Sequence, residues 1–318
     1  MKVLVTGSSG WLGRVLIPLL KAAGHEPVGL DVVPSPWTAI EGSVADAPAV
    51  QAAFAEYEFD GVMHAGALHK PDIVRYPQQA FIDVNVTGTL NLLEAASARP
   101  GTRFVFTSTT SLMITQQIKD ERTERAVWFD EETSPIEPRN IYGVTKLAAE
   151  ALCRQHALQR GLSLVVLRTS RFFPEDDDTD RQFDGANLKS NELLHRRATV
   201  HDMARAHLTA LEQAHDVGFG LYLVSAPTPF LRDHLDRLKT DATALIEELH
   251  PGAGELYAGA GWQLPTSLGR VYDGSRITRE LGFTYQTRFA DVLEALAEGR
   301  PSPVEHDPSY TSPLWESR

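Results

Sequence analysis

The sequence predicts an α/β fold, a doubly wound parallel sheet with a smaller C-terminal lobe. Short β-branched runs alternate with longer segments whose apolar residues recur every three or four positions, which is the rhythm of βαβ units. A glycine-rich turn directly follows the first of these runs, and an acidic residue ends the second.

Val3 to Thr6 reads as the first strand, Leu12 to Ala23 as the first helix and Pro27 to Asp31 as the second strand. Gly61 to His64, Phe104 to Thr107 and Leu164 to Leu167 supply further strands. Between them Val86, Leu90, Leu93 and Ala96, and later Leu147, Ala151 and Leu158, carry the spacing of helices that cover one sheet face. Gly24, Gly161 and Gly282 follow helical patterns, where a left-handed terminal residue costs glycine little. Past Leu167 come an acidic loop (Glu175 to Asp180), a helix near His201 to His215, a strand Leu221 to Ser225 and a proline-rich tail. The expected division is a dinucleotide-binding unit over 1–167 and a smaller substrate-binding lobe over 168–318, partly interleaved with it. His201 and Asp202 are expected to cap the late helix. Gln116 to Asn140 exceeds a usual connection and reads equally as a flap over a substrate or as a surface excursion.

A net charge of −12 over 318 residues argues against a nucleic-acid or anionic-membrane surface, since both need clustered Lys and Arg. The single cysteine, Cys153, cannot form an internal disulfide and reads as a buried, inert thiol in a reducing compartment. The first residues lack the long apolar core of a signal peptide, and no stretch reaches the roughly 18 apolar residues of a membrane span. A cytoplasmic protein is expected, with no metal site.

The turn Thr6-Gly7-Ser8-Ser9-Gly10-Trp11-Leu12-Gly13 lies between the first strand and the first helix. Glycines there let the backbone approach a pyrophosphate, and the helix N-terminus offers unpaired N–H groups and positive dipole. Asp31, 18 residues beyond Gly13, would accept hydrogen bonds from the adenosine ribose. Val32, Val33 and Pro34 supply no arginine for a 2′-phosphate, so this Rossmann-type signature favours NAD over NADP.

Tyr142-Gly143-Val144-Thr145-Lys146 heads a helix, where the four-residue spacing puts tyrosine and lysine on one face. A neighbouring ammonium favours the phenolate and makes Tyr142 a credible general base. A surface tyrosine beside a solvated lysine is the bland alternative.

Together these motifs resemble the extended short-chain dehydrogenase/reductase family, also called the NAD-dependent epimerase/dehydratases. Nearly the whole length takes part, through TGSSGWLG, Asp31, FDGVMHAGALH, NVTGTLNLLEAA, FVFTSTTS, YGVTK, RRATVHDMARAH and VYDGSRITRELGF. The resemblance implies that Gly7, Gly10 and Gly13, with Ser9, Trp11 and Leu12, line the pyrophosphate and that Asp31 takes the ribose. It implies that Val44 covers adenine, although Ser43 replaces the family's usual acid, and that His64, Ala65, Gly66 and Ala67 border the cofactor. Asn85 would begin a helix whose polar head supports the site, Thr107 would touch the cofactor, and Lys146 would hold the nicotinamide ribose while tuning Tyr142. Thr109 is the first choice for the family's third catalytic position, with Ser108 and Thr110 as alternatives. A homodimer is implied, formed by the helices starting near Asn85 and Tyr142.

Nucleotide-sugar members of this family carry a long excursion before the late arginine motif, whereas here 28 residues separate Arg168 from Arg197. That shortening resembles the family's small-substrate dehydrogenases and implies a polar or acidic sugar-like substrate. His69, Thr109, Thr110, Arg171, Asn187 and Arg197 are the candidate substrate residues, with Lys189 and Asn191 nearby. Arg171 would fork onto a carboxylate, or pair outward with Glu175 to Asp178. An epimerase that retains its cofactor is the alternative activity. Thr110-Ser111 in place of an Asp-Glu pair disfavours a dehydratase, and retention of Tyr142 and Lys146 disfavours a non-catalytic redox sensor.

Overall fold

A computed structural model describes residues 1–175 and 182–304. Among the described residues nine strands form in chain order: β1 Lys2–Thr6, β2 Glu26–Asp31, β3 Ile40–Glu41, β4 Gly61–His64, β5 Arg103–Thr109, β6 Val127–Phe129, β7 Ser163–Thr169, β8 Phe219–Val224 and β9 Arg270–Tyr272. Seven of them make one parallel sheet in the order β3-β2-β1-β4-β5-β7-β8. The order reverses between β1 and β4, and in such sheets ligands sit beyond the carboxyl ends at that reversal.

Period-two alternation sorts the side chains between two cores. Val3, Val5, Met63, Val105 and Val165 face the helices Gly13–Ala22 and Val200–Val217. Leu4, Val62, Phe104, Phe106 and Val166 face the opposite layer with Leu92, Leu93 and Ala149. Both faces are therefore covered, as a parallel sheet requires. Gly161 (φ +68) and Gly282 (φ +67) end their helices in the left-handed conformation that the sequence pattern anticipates.

Past residue 167 the chain continues in the main sheet: β7 runs to Thr169, the helix Val200–Val217 packs on the sheet, and β8 joins its edge as far as Val224. The lobe packs around its own core of Leu194, Phe230, Leu238, Leu245 and Tyr257. β6, from the long segment after β5, pairs in parallel with β9 and fastens that segment to the lobe. The acidic run at 176–180 and the tail beyond 304 lie outside the described residues. No helix among the described residues is long and apolar enough to cross a membrane.

The expected cap at His201 and Asp202 is corrected. Thr199 caps the helix by accepting from the Asp202 N–H at 3.2 Å. The fully buried Asp202 carboxylate instead accepts from the N–H groups of Gln286 and Thr287 at 2.9 and 3.0 Å.

Candidate active site

The glycine turn is closed on its protein side by glycine alone. Gly7 has φ +72, and a Cβ there would come within 2.8 Å of Gly66. A Cβ at Gly13 would meet the Gly7 carbonyl oxygen at 2.2 Å. No side chain caps the helix Gly13–Ala22 that follows; the turn closes it with its own backbone, the Arg14 N–H on the Gly10 carbonyl and the Val15 N–H on the Leu12 carbonyl, each at 3.1 Å, and sets the positive end of the helix dipole at the turn, where a pyrophosphate would bind. The two oxygens of Asp31 accept from the Ser9 and Val33 N–H groups, each at 2.9 Å, and keep lone pairs for ribose hydroxyls. The residues thus fit an NAD dinucleotide. The Trp11 indole donates to the Phe172 carbonyl at 2.9 Å, tying the turn to the segment after β7. Val44 is buried and its carbonyl accepts from Asn91 at 3.0 Å, while Ser43 accepts from the Ala45 N–H and holds the turn. Gly66 donates to the Thr6 hydroxyl at 3.0 Å, which sets the Ala65-Gly66-Ala67 loop against the turn.

Asn85 does not begin a helix. The helix starts at Gln78, passes through a π-turn over Ile82–Thr87 and continues as Gly88–Ser97. Such a turn admits one extra residue and redirects a side chain. Asn85, 1% exposed, accepts from the Leu68 N–H at 2.8 Å and donates to the Leu68 carbonyl at 3.0 Å. It also donates to the Thr145 hydroxyl at 3.1 Å, so one amide joins the loop after β4 to the helix Ile141–Arg160.

That helix begins at the Asn140 cap, whose side chain accepts from the Gly143 N–H, and brings Tyr142 and Lys146 to the end of β5. Burial pushes the Tyr142 phenol up to about 12, and a hydrogen bond with Thr109 pulls it partly back. Burial brings Lys146 down to about 8 against the opposing pull of Cys153 and Glu150, and its ammonium lies 4.1 Å from the centroid of the Phe106 ring. Pleating separates the candidate hydroxyls. Thr109 meets Tyr142, whereas Ser108 faces the other way and donates to Glu150 at 2.5 Å. Glu150 in turn holds Arg168 in a buried ion pair at 2.7 Å. Thr110 opens a short turn and lines the cleft.

The cleft around these groups has a volume of about 1390 Å³. The His69 ring stands edge-on to Tyr142 at 5.8 Å, and burial brings its pKa down to about 4, so it is neutral. Arg171 lines the same cleft, donating to the Glu175 carbonyl at 2.7 Å and lying 3.4 Å from Glu192. Arg196, which sequence reasoning did not single out, also lines it and pairs with Glu192 at 3.0 Å. Burial pushes the Glu192 carboxyl up, and Arg197, Arg196 and Arg171 together bring it below its ordinary value.

Two of the expected substrate residues stand outside the lining of the cleft. Arg197 is 4% exposed, pairs with Glu192 at 2.7 Å and donates to the Phe173 carbonyl, so it supports the wall from behind. Asn187 lies outside the cleft lining and uses both amide atoms on the backbone of Gln263. Asn191 does line the cleft, while Lys189 is buried outside it. Arg196 ends the turn after the helix Gly185–Leu193, its N–H on the Glu192 carbonyl at 2.7 Å, whereas Arg197 bridges to Arg171, so the two side chains leave the backbone in different directions.

The profile of the NAD dependent epimerase/dehydratase family matches residues 3–222. The GDP-6-deoxy-D-mannose reductase of Pseudomonas aeruginosa is 35% identical over 170 residues, 52% of this chain and 51% of that protein. The L-arabinose 1-dehydrogenase (NAD(P)(+)) of Haloferax volcanii is 31% identical over 186 residues, 55% of this chain and 69% of that protein. Several such matches span only about half the length of the curated relatives. The UDP-glucose 4-epimerase of Thermus thermophilus, solved with NAD, shares the fold with a TM-score of 0.63 at 24% identity, covering 94% of this chain and 98% of that one. With the glycine turn, Asp31, Tyr142 and Lys146 disposed as described, the chain belongs to the NAD dependent epimerase/dehydratase family.

Proposed function

We propose that this chain is an NAD-dependent dehydrogenase that oxidises a secondary alcohol of a small polar or acidic substrate, a sugar, sugar acid or related polyol. Bound at the glycine turn, NAD supplies the hydride acceptor. Thr109 holds the substrate oxygen, Tyr142 takes its proton, and Lys146 stabilises the phenolate and binds the nicotinamide ribose.

The observation that carries the substrate class is the charge of the cleft. Among its described lining residues stand eight Lys and Arg side chains and five carboxylates, in a chain of net charge −12. Arg171 and Arg196 line the same cleft as Tyr142 and offer guanidinium groups on which a carboxylate or strongly polar group would dock. The likeness to a free-sugar dehydrogenase, matched over 69% of its length, supports the same reading. NADH release from a panel of uronic acids, aldoses, polyols and nucleotide sugars tests it. Release with free acids or sugars supports the dehydrogenase, and isomer interconversion without net NADH supports an epimerase instead.

The same reading makes the chain a homodimer. Ile82 and Val144 are apolar yet 40% and 47% exposed, on the two helical segments expected to pair with their copies. Leu158, 69% exposed, extends the second of them.

A further inference from the structure

His207 is fully buried in the helix Val200–Val217 and takes no part in the proton transfer above. Its Nδ1 lies 2.7 Å from the Met203 carbonyl oxygen and its Nε2 lies 2.8 Å from the Thr107 hydroxyl. A carbonyl oxygen only accepts, so Nδ1 carries the hydrogen. Burial brings the ring's pKa down to about 4, so no second proton is present near neutrality and Nε2 is a lone pair. Thr107 must then donate its one hydroxyl hydrogen to His207. Thr107 also lines the cleft, and toward the cleft its oxygen can only accept.

The neighbouring hydroxyls are differently committed, Ser108 to Glu150 on the opposite face and Thr109 to Tyr142 and the Ser111 N–H. Thr107 lies two residues behind Thr109 on β5, about 6–7 Å back from the proton-transfer oxygen. The β4–β5 register sets His64 beside Phe106, which brings Ala65 next to Thr107, one residue from the Gly66 that packs on Gly7. Thr107 therefore stands on the cofactor side of the cleft rather than the substrate side.

We infer that Thr107 is an acceptor-only subsite for the N–H of the nicotinamide carboxamide, and that His207 is the positioning residue that fixes its polarity. The inference rests on the reading that NAD binds here. It makes the protein selective for an amide over an acetyl group on the pyridine ring, because a methyl ketone has no hydrogen to offer.

Titration calorimetry on the purified protein with NAD and with its 3-acetylpyridine analogue tests this without a substrate. The wild type is expected to bind NAD about fivefold or more tightly than the analogue, the scale of one neutral hydrogen bond. Thr107→Val should weaken NAD by about that factor and leave the analogue unchanged, whereas Thr107→Ser should behave as wild type. His207→Leu frees the hydroxyl to turn and should narrow the preference, a change that loss of stability alone does not produce. Should these variants fail to fold, the wild-type comparison still decides. Equal wild-type affinities would overturn the inference, as would a Thr107→Val that weakens both ligands alike. Failure of NAD itself to bind would instead overturn the cofactor reading beneath it.

Discussion

The Asn85 side-chain amide donates to the Thr145 hydroxyl at 3.1 Å while Thr145 donates back into its own helix, at 2.9 Å to Ile141 and 3.0 Å to Tyr142. The π-turn and the helix that presents Tyr142 and Lys146 are thereby locked together. Asn85→Leu leaves the Leu68 N–H and carbonyl without their partner, each such loss costing about 1–3 kcal/mol. A lower urea midpoint with a reduced turnover rate is the expected outcome. Unchanged stability and rate would show that the loop after β4 is held by other means.

Asp31 holds the turn through the Ser9 and Val33 N–H groups and, on the proposed reading, also takes the ribose, so its removal should damage cofactor choice as well as affinity. NAD is expected to bind at least about tenfold more tightly than NADP, a gap of roughly 1.4 kcal/mol. Asp31→Ala should weaken NAD and narrow that gap, as read by calorimetry. Equal affinities in the wild type would contradict the role of the carboxylate.

Much of this was legible in the sequence because it is local. The strand Gly61–His64 stands where its apolar run lies, and glycine turn, Asp31, Tyr142 and Lys146 follow from spacing and resemblance. The π-turn was not legible, since one inserted residue in a helix leaves no compositional mark and hides in an unbroken helical pattern. The β6–β9 pairing joins residues far apart in the chain, such as Val127 and Arg270, and no local pattern announces it. Arg196 and Arg197 are chemically identical neighbours, and only the path of the backbone decides which one meets the cleft.

Stability should fall in mild acid. His64, His69, His195 and His207 are held neutral chiefly by burial, which lowers each pKa, to about 4 for His69 and His207. Below the unfolded value near 6.5 the unfolded chain takes up protons that the folded chain refuses. Their neutral burial is therefore harmless above about pH 6.5. As pH falls toward the folded values, each histidine costs up to about 1.4 kcal/mol per pH unit. Urea midpoints at pH 7 and pH 5 should differ accordingly, the acid one lower, and equal midpoints would contradict these environments.

Arg171 tests the substrate class. Arg171→Ala should raise KM about tenfold for a sugar acid and much less for the matching neutral sugar, since only the acid meets the guanidinium in two parallel bonds. An unchanged KM with a stability loss of about 0–1 kcal/mol would assign Arg171 to Glu192 and the Glu175 carbonyl alone.

Proton transfer by Tyr142 is the central claim, and Tyr142→Phe tests it most directly. The measurement is the single-turnover rate of NADH formation on the substrate found in the panel, with NAD affinity measured in parallel. The variant is expected to be slower by about a hundredfold or more, the scale of lost general-base catalysis, with NAD affinity little changed. A variant that forms NADH at nearly the wild-type rate would contradict the assignment.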